Sequence, residues 1–215
     1  MLKRVYVWEF PVRFTHWLNF ATILTLATTG LYIGAPFIHA IREKQLIMAK
    51  FRFIHFIAAY VFAVSVVVRI CWWFMGNSYA QWDQFIPISA ERRKNLYGTA
   101  EFYCFLREKC PEVIGHTGIA GLTYFIMFVL FLLEICTGFA LYSQGHSGGL
   151  WTLLGGWVFA ILNEGTVRLV HHCIMWIVAV FFILHVYIGW HNDIMERNGL
   201  MSSIFSGYKS KDKKN

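Results

Sequence analysis

No CxxC pair and no CxxCH stand in this chain, which excludes a covalently attached c-type haem. The five cysteines, Cys71, Cys104, Cys110, Cys136 and Cys173, read instead as small residues in or beside apolar segments. Charge is also scarce. Asp, Glu, Lys and Arg make up 14% of 215 residues, against 57% hydrophobic and 18% aromatic, a balance too apolar for a soluble domain of this size. No stretch interleaves bases with aromatics, so nucleic acid is excluded as a partner despite a net charge of +7. The first apolar run, behind Lys3, Arg4 and Arg13, lacks a small-residue cleavage site and is too long for a signal peptide, so it reads as an uncleaved span.

Four long apolar segments are present, at about 14–34, 53–75, 117–142 and 167–190, and no fifth. Each suits a hydrocarbon core of ~30 Å, which takes ~20 helical residues. The expected fold class is an all-α membrane protein: a four-helix transmembrane bundle forming one transmembrane domain over residues 1–215. Cytoplasmic loops carry the excess of Lys and Arg. The N-terminal segment, the connection after the second span and the tail together hold thirteen of these residues. The other two connections hold Arg42, Lys44, Lys50, Arg52 and Arg168. Both termini are therefore expected in the cytoplasm, and the Lys-rich tail as a solvated or headgroup-facing end. The polar stretch 76–115 should carry short surface helices, and the glycine-broken run 146–166, too short to span, should lie in the outer interface.

Histidines inside such segments are costly, and each is a functional hypothesis. His171 and His185 share one helix. Fourteen residues is close to four turns, so both lie on nearly one face, roughly 21 Å apart along the axis. His55, at the outer start of the second segment, matches His171 in depth, and His16, at the inner end of the first, matches His185. Imidazoles facing each other across a four-helix bundle are the usual ligands of low-spin b-type haem. Two haem sites are expected, with one as the alternative. The other reading of each histidine is an interhelical hydrogen bond.

Arg13, Arg52 and Arg168 each precede His16, His55 and His171 by three residues, one turn toward the surface, where they could pair haem propionates or snorkel to headgroups. Gly30 lies fourteen residues after His16, where a missing side chain would admit a macrocycle. Arg69 lies fourteen after His55 and could serve an inner propionate. His116, at the inner start of the third span, could exchange protons with a quinone, or cap the helix. His172 points about 100° away from His171 and reads as an interface residue. No specific role is expected for His39, His146 or His191. Glu134 is the one carboxylate well inside a span, and its role is open. Zinc is not expected, because ligands two helical layers apart cannot share one ion. TTGLY in the first span and TGFALY in the third are alike, but two short matches do not establish a repeat.

The stretches YVWEFPVRFTHWLN (6–19), RFIHFIAAYVF (52–62), RICWWFMGNSY (69–79), IGHTGIAG (114–121), TGFALYS (137–143) and HVYIGWHNDIM (185–195) resemble the b-type cytochrome subunit of membrane-bound nickel-iron hydrogenases. They touch all four spans. The looser superfamily, which includes formate dehydrogenase cytochrome subunits, shares the four-histidine layout. The resemblance implies a multi-pass protein of the bacterial inner membrane that takes electrons from the iron-sulfur small subunit of a periplasmic hydrogenase, alongside its nickel-iron large subunit, in a higher-order complex. It implies delivery through haem b to the quinone pool, with His55 and His171 as outer ligands and His16 and His185 as inner ones. No ligand set for hydrogen chemistry is in this chain. Alternatives are the cytochrome subunit of a formate dehydrogenase or thiosulfate reductase and, from another class, a haem-free anchor or proton-coupled transporter.

Overall fold

The computed structural model describes residues 2–37, 46–146 and 148–212. His39, Arg42 and Lys44 of the first connection, and Lys213 and Lys214 of the tail, lie outside the described residues. The elements run β1 (Leu2–Tyr6), α1 (Phe10–Gly34), α2 (Ile47–Met75), α3 (Ala90–Tyr103), α4 (Gly118–Ser143), α5 (Gly149–Leu154), α6 (Glu164–Glu196), α7 (Leu200–Ser206) and β2 (Tyr208–Asp212). Single 3-10 turns occupy Trp82–Gln84 and Gly156–Ala160.

By length and composition α2, α4 and α6 can each cross a membrane. Their apolar side chains are largely exposed, among them Val64 and Val67 on α2, Leu132 and Leu133 on α4, and Val180, Ile183 and Leu184 on α6. A helix apolar on its outer face is suited to lipid. The chain is thus a mostly helical integral membrane protein. Helix α1 has 25 residues and begins four before its expected start. Pro11 stands in its first turn, where a missing N–H costs no intrahelical bond. Helix α2 begins six residues before its expected span, and α6 begins three residues before and ends six residues after its own.

The chain divides into two compact units. The first comprises Met1–Arg13, Arg69–Phe131 and Trp176–Asn215. In it, Val7, Trp8, Val12 and Ala80 form a buried core with Val5, Trp72, Tyr79 and Ile114 packed around it. Glu9 holds the N-terminal segment to the end of α2: its Oε2 accepts from Trp72 Nε1 and from the Asn77 backbone N–H, both at 2.8 Å. Ser89 caps α3, as expected of a short surface helix in this stretch, by accepting from the Arg92 backbone N–H.

The all-α expectation needs one correction. Strands β1 and β2 pair antiparallel, with Leu2 opposite Asp212 and Tyr6 opposite Tyr208. Helix α7 ends on Gly207, whose φ of 87° lies in the left-handed region and whose carbonyl accepts from Val7 and Trp8 N–H. A Cβ there would stand 2.6 Å from the Tyr6 ring, so the turn that starts β2 requires glycine. Five-residue strands reading LKRVY and YKSKD have too little apolar periodicity to be visible beforehand.

The second unit comprises Phe14–Val68 and Leu132–Met175. Ala140, Val158 and Val167 form its buried core with Leu141 and Phe159 against them. Trp151 of α5 packs on Tyr142 and Tyr60, with ring centroids 5.1 and 5.9 Å away.

Candidate functional site

In the second unit, two histidines are held in the same way by two different helices. Thr29 of α1 places its Oγ1 2.8 Å from Nδ1 of His55 on α2. Thr137 of α4 places its Oγ1 3.0 Å from Nδ1 of His171 on α6. Both threonines are 5% exposed. The residue after each is glycine, and each glycine faces the same imidazole: a Cβ on Gly30 would lie 3.3 Å from His55 Cε1, and one on Gly138 3.4 Å from His171 Cε1. A Thr-Gly pair thus seats each ring, the hydroxyl bonding Nδ1 and the bare backbone admitting the Cε1 edge. Among the described residues neither Nε2 has a hydrogen-bond partner, and His55 lies within electrostatic range of His171.

Glu134, one turn before Thr137, adds its Oε1 at 3.3 Å from the same His171 nitrogen. This assigns the open carboxylate a contact. At the matching position before Thr29 stands Leu26, so among the described residues the His55 ring has no counterpart to this second side-chain oxygen. His172 turns away, as its 100° offset requires. Its Nδ1 bonds the Arg168 carbonyl at 2.7 Å and its Nε2 rests where a Cβ on Gly34 would be, 2.9 Å away. Arg168 itself is engaged with Glu164, at 2.8 and 2.6 Å, and Arg52 is exposed. His16 lies on the α1 portion of this unit.

In the first unit, His185 of α6 stacks on Phe181, with centroids 5.4 Å apart, and places Nδ1 3.4 Å from the Tyr124 hydroxyl. Arg13 is in this unit and donates to the Phe205 carbonyl. Arg69 is 6% exposed, with its guanidinium carbon 5.3 Å from the Phe85 ring centroid and 6.0 Å from that of Phe128. Its Nη1 has no hydrogen-bond partner among the described residues. His116 packs between Trp8, Tyr124 and Phe85, at centroid distances of 4.6, 5.0 and 5.4 Å. Its edge retains some exposure. Enclosure by these neighbours, followed by the charges of Lys209, Arg69, Arg92 and His185, holds the imidazole well below the usual histidine range.

Lys209 corrects the expectation of a solvated tail. It is 4% exposed, its Nζ lies 5.3 Å over the Trp8 ring and bonds the Gly115 carbonyl at 3.4 Å. Burial lowers it to about 8, partly offset by Glu196 and Asp193. The alternating tail gave no reason to single out this lysine, since strand pairing decides which of its side chains turns inward. Thr29 and Thr137 were also missed, although the shared TG-L-Y and TGFALY pattern was their signal. His146 stacks on Tyr142 and His191 on Tyr187, both exposed and apart from these sites.

The sequence profile of the family "Prokaryotic cytochrome b561" matches residues 7–207. The chain is 39% identical over 211 residues to a protein of Rhizobium leguminosarum named "Probable Ni/Fe-hydrogenase B-type cytochrome subunit", covering 95% of this chain and 88% of that one. It is 36% identical over 217 residues to the like-named protein of Cupriavidus necator, covering 97% and 88%. It is 32% identical over 220 residues to the "Probable Ni/Fe-hydrogenase 1 B-type cytochrome subunit" of Escherichia coli K12, covering 95% and 90%.

Proposed function

The chain belongs to the prokaryotic cytochrome b561 family, and from that premise we propose that it is the haem b electron-transfer and membrane-anchor subunit of a nickel-iron hydrogenase. It takes electrons from the iron-sulfur small subunit, whose nickel-iron large subunit oxidises hydrogen in the periplasm, and passes them to the quinone pool of the bacterial inner membrane. The names of its relatives support the hydrogenase partner.

The observation that carries the haem assignment is the pair His55 and His171, each tied at Nδ1 by a threonine and each with Nε2 unengaged among the described residues. That donor set fits haem b: two neutral imidazoles, oriented through the nitrogen that does not bind iron. We assign His55 and His171 to the outer haem, and His16 and His185 each remain a candidate axial ligand of a further haem. Bound haem supplies a one-electron Fe(III)/Fe(II) couple. Arg69, buried and with an unsatisfied guanidinium nitrogen, suits an inner propionate, and Arg13, Arg52 and Arg168 remain propionate candidates nearer the membrane surfaces. His116 is the quinone-facing residue. Held neutral, it offers a quinone a hydrogen bond but stores no proton near pH 7.

We propose one transmembrane cytochrome domain with four crossings and both termini cytoplasmic. Pairing of β1 with β2 brings the two ends of the chain together, which favours an even number of crossings. The 25 residues of α1 suffice for the fourth. Helices α2, α4 and α6 each contribute to both compact units, in keeping with a single domain.

Purification of the chain with its partner subunits and quantification of haem per chain by the pyridine haemochrome tests this reading. Haem b at one or two per chain, with a nickel-iron subunit co-purifying, is the expected result. A reduced-minus-oxidised spectrum without a haem b band would overturn it.

A further inference from the structure

We infer that Thr29 and Thr137 are positioning residues that lock His55 and His171 into the tautomer with the proton on Nδ1 and the lone pair on Nε2. The inference deepens the haem reading and rests on it only for the identity of the metal group.

The argument is one of proton bookkeeping. A threonine hydroxyl has one proton and two lone pairs. Thr29 Oγ1 lies 2.6 Å from the Thr25 carbonyl oxygen and 3.3 Å from that of Leu26. Thr137 Oγ1 lies 2.8 Å from the Leu133 carbonyl oxygen and 3.1 Å from that of Glu134. A carbonyl can only accept, and two oxygens 2.6–2.8 Å apart repel unless a proton stands between them. The hydroxyl proton is therefore committed to the turn below, a frequent arrangement for threonine inside a helix. Toward the imidazole each Oγ1 has only a lone pair left, so it must accept, and Nδ1 must be the donor. In a neutral imidazole the other nitrogen then carries the lone pair.

The glycine beside each threonine makes the lock a matter of position as well as protonation. With Gly30 and Gly138 against Cε1, the ring cannot flip about its Cβ–Cγ bond without losing both the hydroxyl and the fit. The same Thr-Gly device therefore occurs twice, α1 serving α2 and α4 serving α6. This gives the TTGLY and TGFALY likeness a structural meaning. Glu134 Oε1, 3.3 Å from the same nitrogen, stands where a lone pair can receive the His171 proton, which is compatible with the same tautomer.

The test is long-range 1H–15N spectroscopy on the full chain, labelled at histidine and purified in detergent after haem depletion, with His55→Gln and His171→Gln supplying the assignments. Both rings should read as the Nδ1–H form, whereas free imidazole side chains favour Nε2–H. Thr29→Val should return His55 to the Nε2–H form, and Thr29→Ser should keep Nδ1–H. For His171, the double variant Thr137→Val with Glu134→Leu should lose the lock and Thr137→Ser should retain it. In the haem-loaded protein, Thr29→Val should weaken haem retention on the order of tenfold, with recovery in Thr29→Ser. An Nε2–H reading at either ring of the unsubstituted chain overturns the inference even if every variant fails to fold. So does Nδ1–H persisting in the valine variants. A chain that never binds haem overturns the electron-transfer proposal and leaves the tautomer measurement intact.

Discussion

The Glu134 carboxylate lies 3.3 Å from Nδ1 of His171, beside the Thr137 hydroxyl at 3.0 Å from the same nitrogen. Two side-chain oxygens on one face of α4, three residues apart, thus stand at one imidazole nitrogen. Either alone can hold the ring. Glu134→Leu and Thr137→Val should each leave haem content close to that of the unsubstituted chain. The double variant should lose far more than their sum, by a coupling of about 0.5–3 kcal/mol. Pyridine haemochrome titration of the four proteins checks this, and strictly additive losses would refute it.

Replacing His55 or His171 by alanine should remove the same haem from the reduced-minus-oxidised spectrum, with the protein still inserted. His172→Ala should keep it, because His172 bonds the Arg168 carbonyl and faces Gly34 rather than joining the threonine-held pair.

Glycine at 30 and glycine at 34 should respond differently to a side chain. At Gly30 a Cβ is already 3.3 Å from a ring that Thr29 pins, so Gly30→Val should displace His55, at a cost of about 1–3 kcal/mol for overpacking, and lower haem content. At Gly34 the neighbour is the far end of His172, 2.9 Å from the Cβ position, and that exposed ring can swing aside. Gly34→Ala should retain haem. Equal loss in both would show that the ring at 55 is not held as described.

The docking of the tail should strengthen with alkali. Lys209 has a folded value of about 8 against an ordinary 10.5, so between those values the undocked chain holds more protons than the docked one. Stability then rises with pH across that window, by at most about 3 kcal/mol, and is lowest below pH 8, where the buried ammonium is charged. Protection of the β1–β2 amides from hydrogen exchange, corrected for the intrinsic rate, should increase from pH 8 to 10.5. In Lys209→Met this contribution should vanish.

Much of the architecture was legible from composition and periodicity alone. Segments of some twenty apolar residues have few alternatives to a helix, because lipid offers no partner for an unsatisfied backbone group. That accounts for the agreement of α2, α4 and α6 with the expected spans, and the fourteen-residue interval placed His171 and His185 on one face through helical geometry. The short sheet and the inward turn of Lys209 were not legible, since both depend on two ends of the chain that are some two hundred residues apart.

The candidate site divides along the same line. By itself, the sequence determined which histidines sit in apolar helices and at what spacing along them. Only the tertiary structure decided what holds them. Thr29 and Thr137 are ordinary intramembrane threonines until α1 is laid against α2 and α4 against α6. A hydrogen bond between helices depends on rotation and register that no local pattern encodes. The packed structure also brought Glu134 to His171 and made Gly30 a seat for the His55 ring, because a space at a glycine is claimed by whichever side chain the neighbouring helix presents.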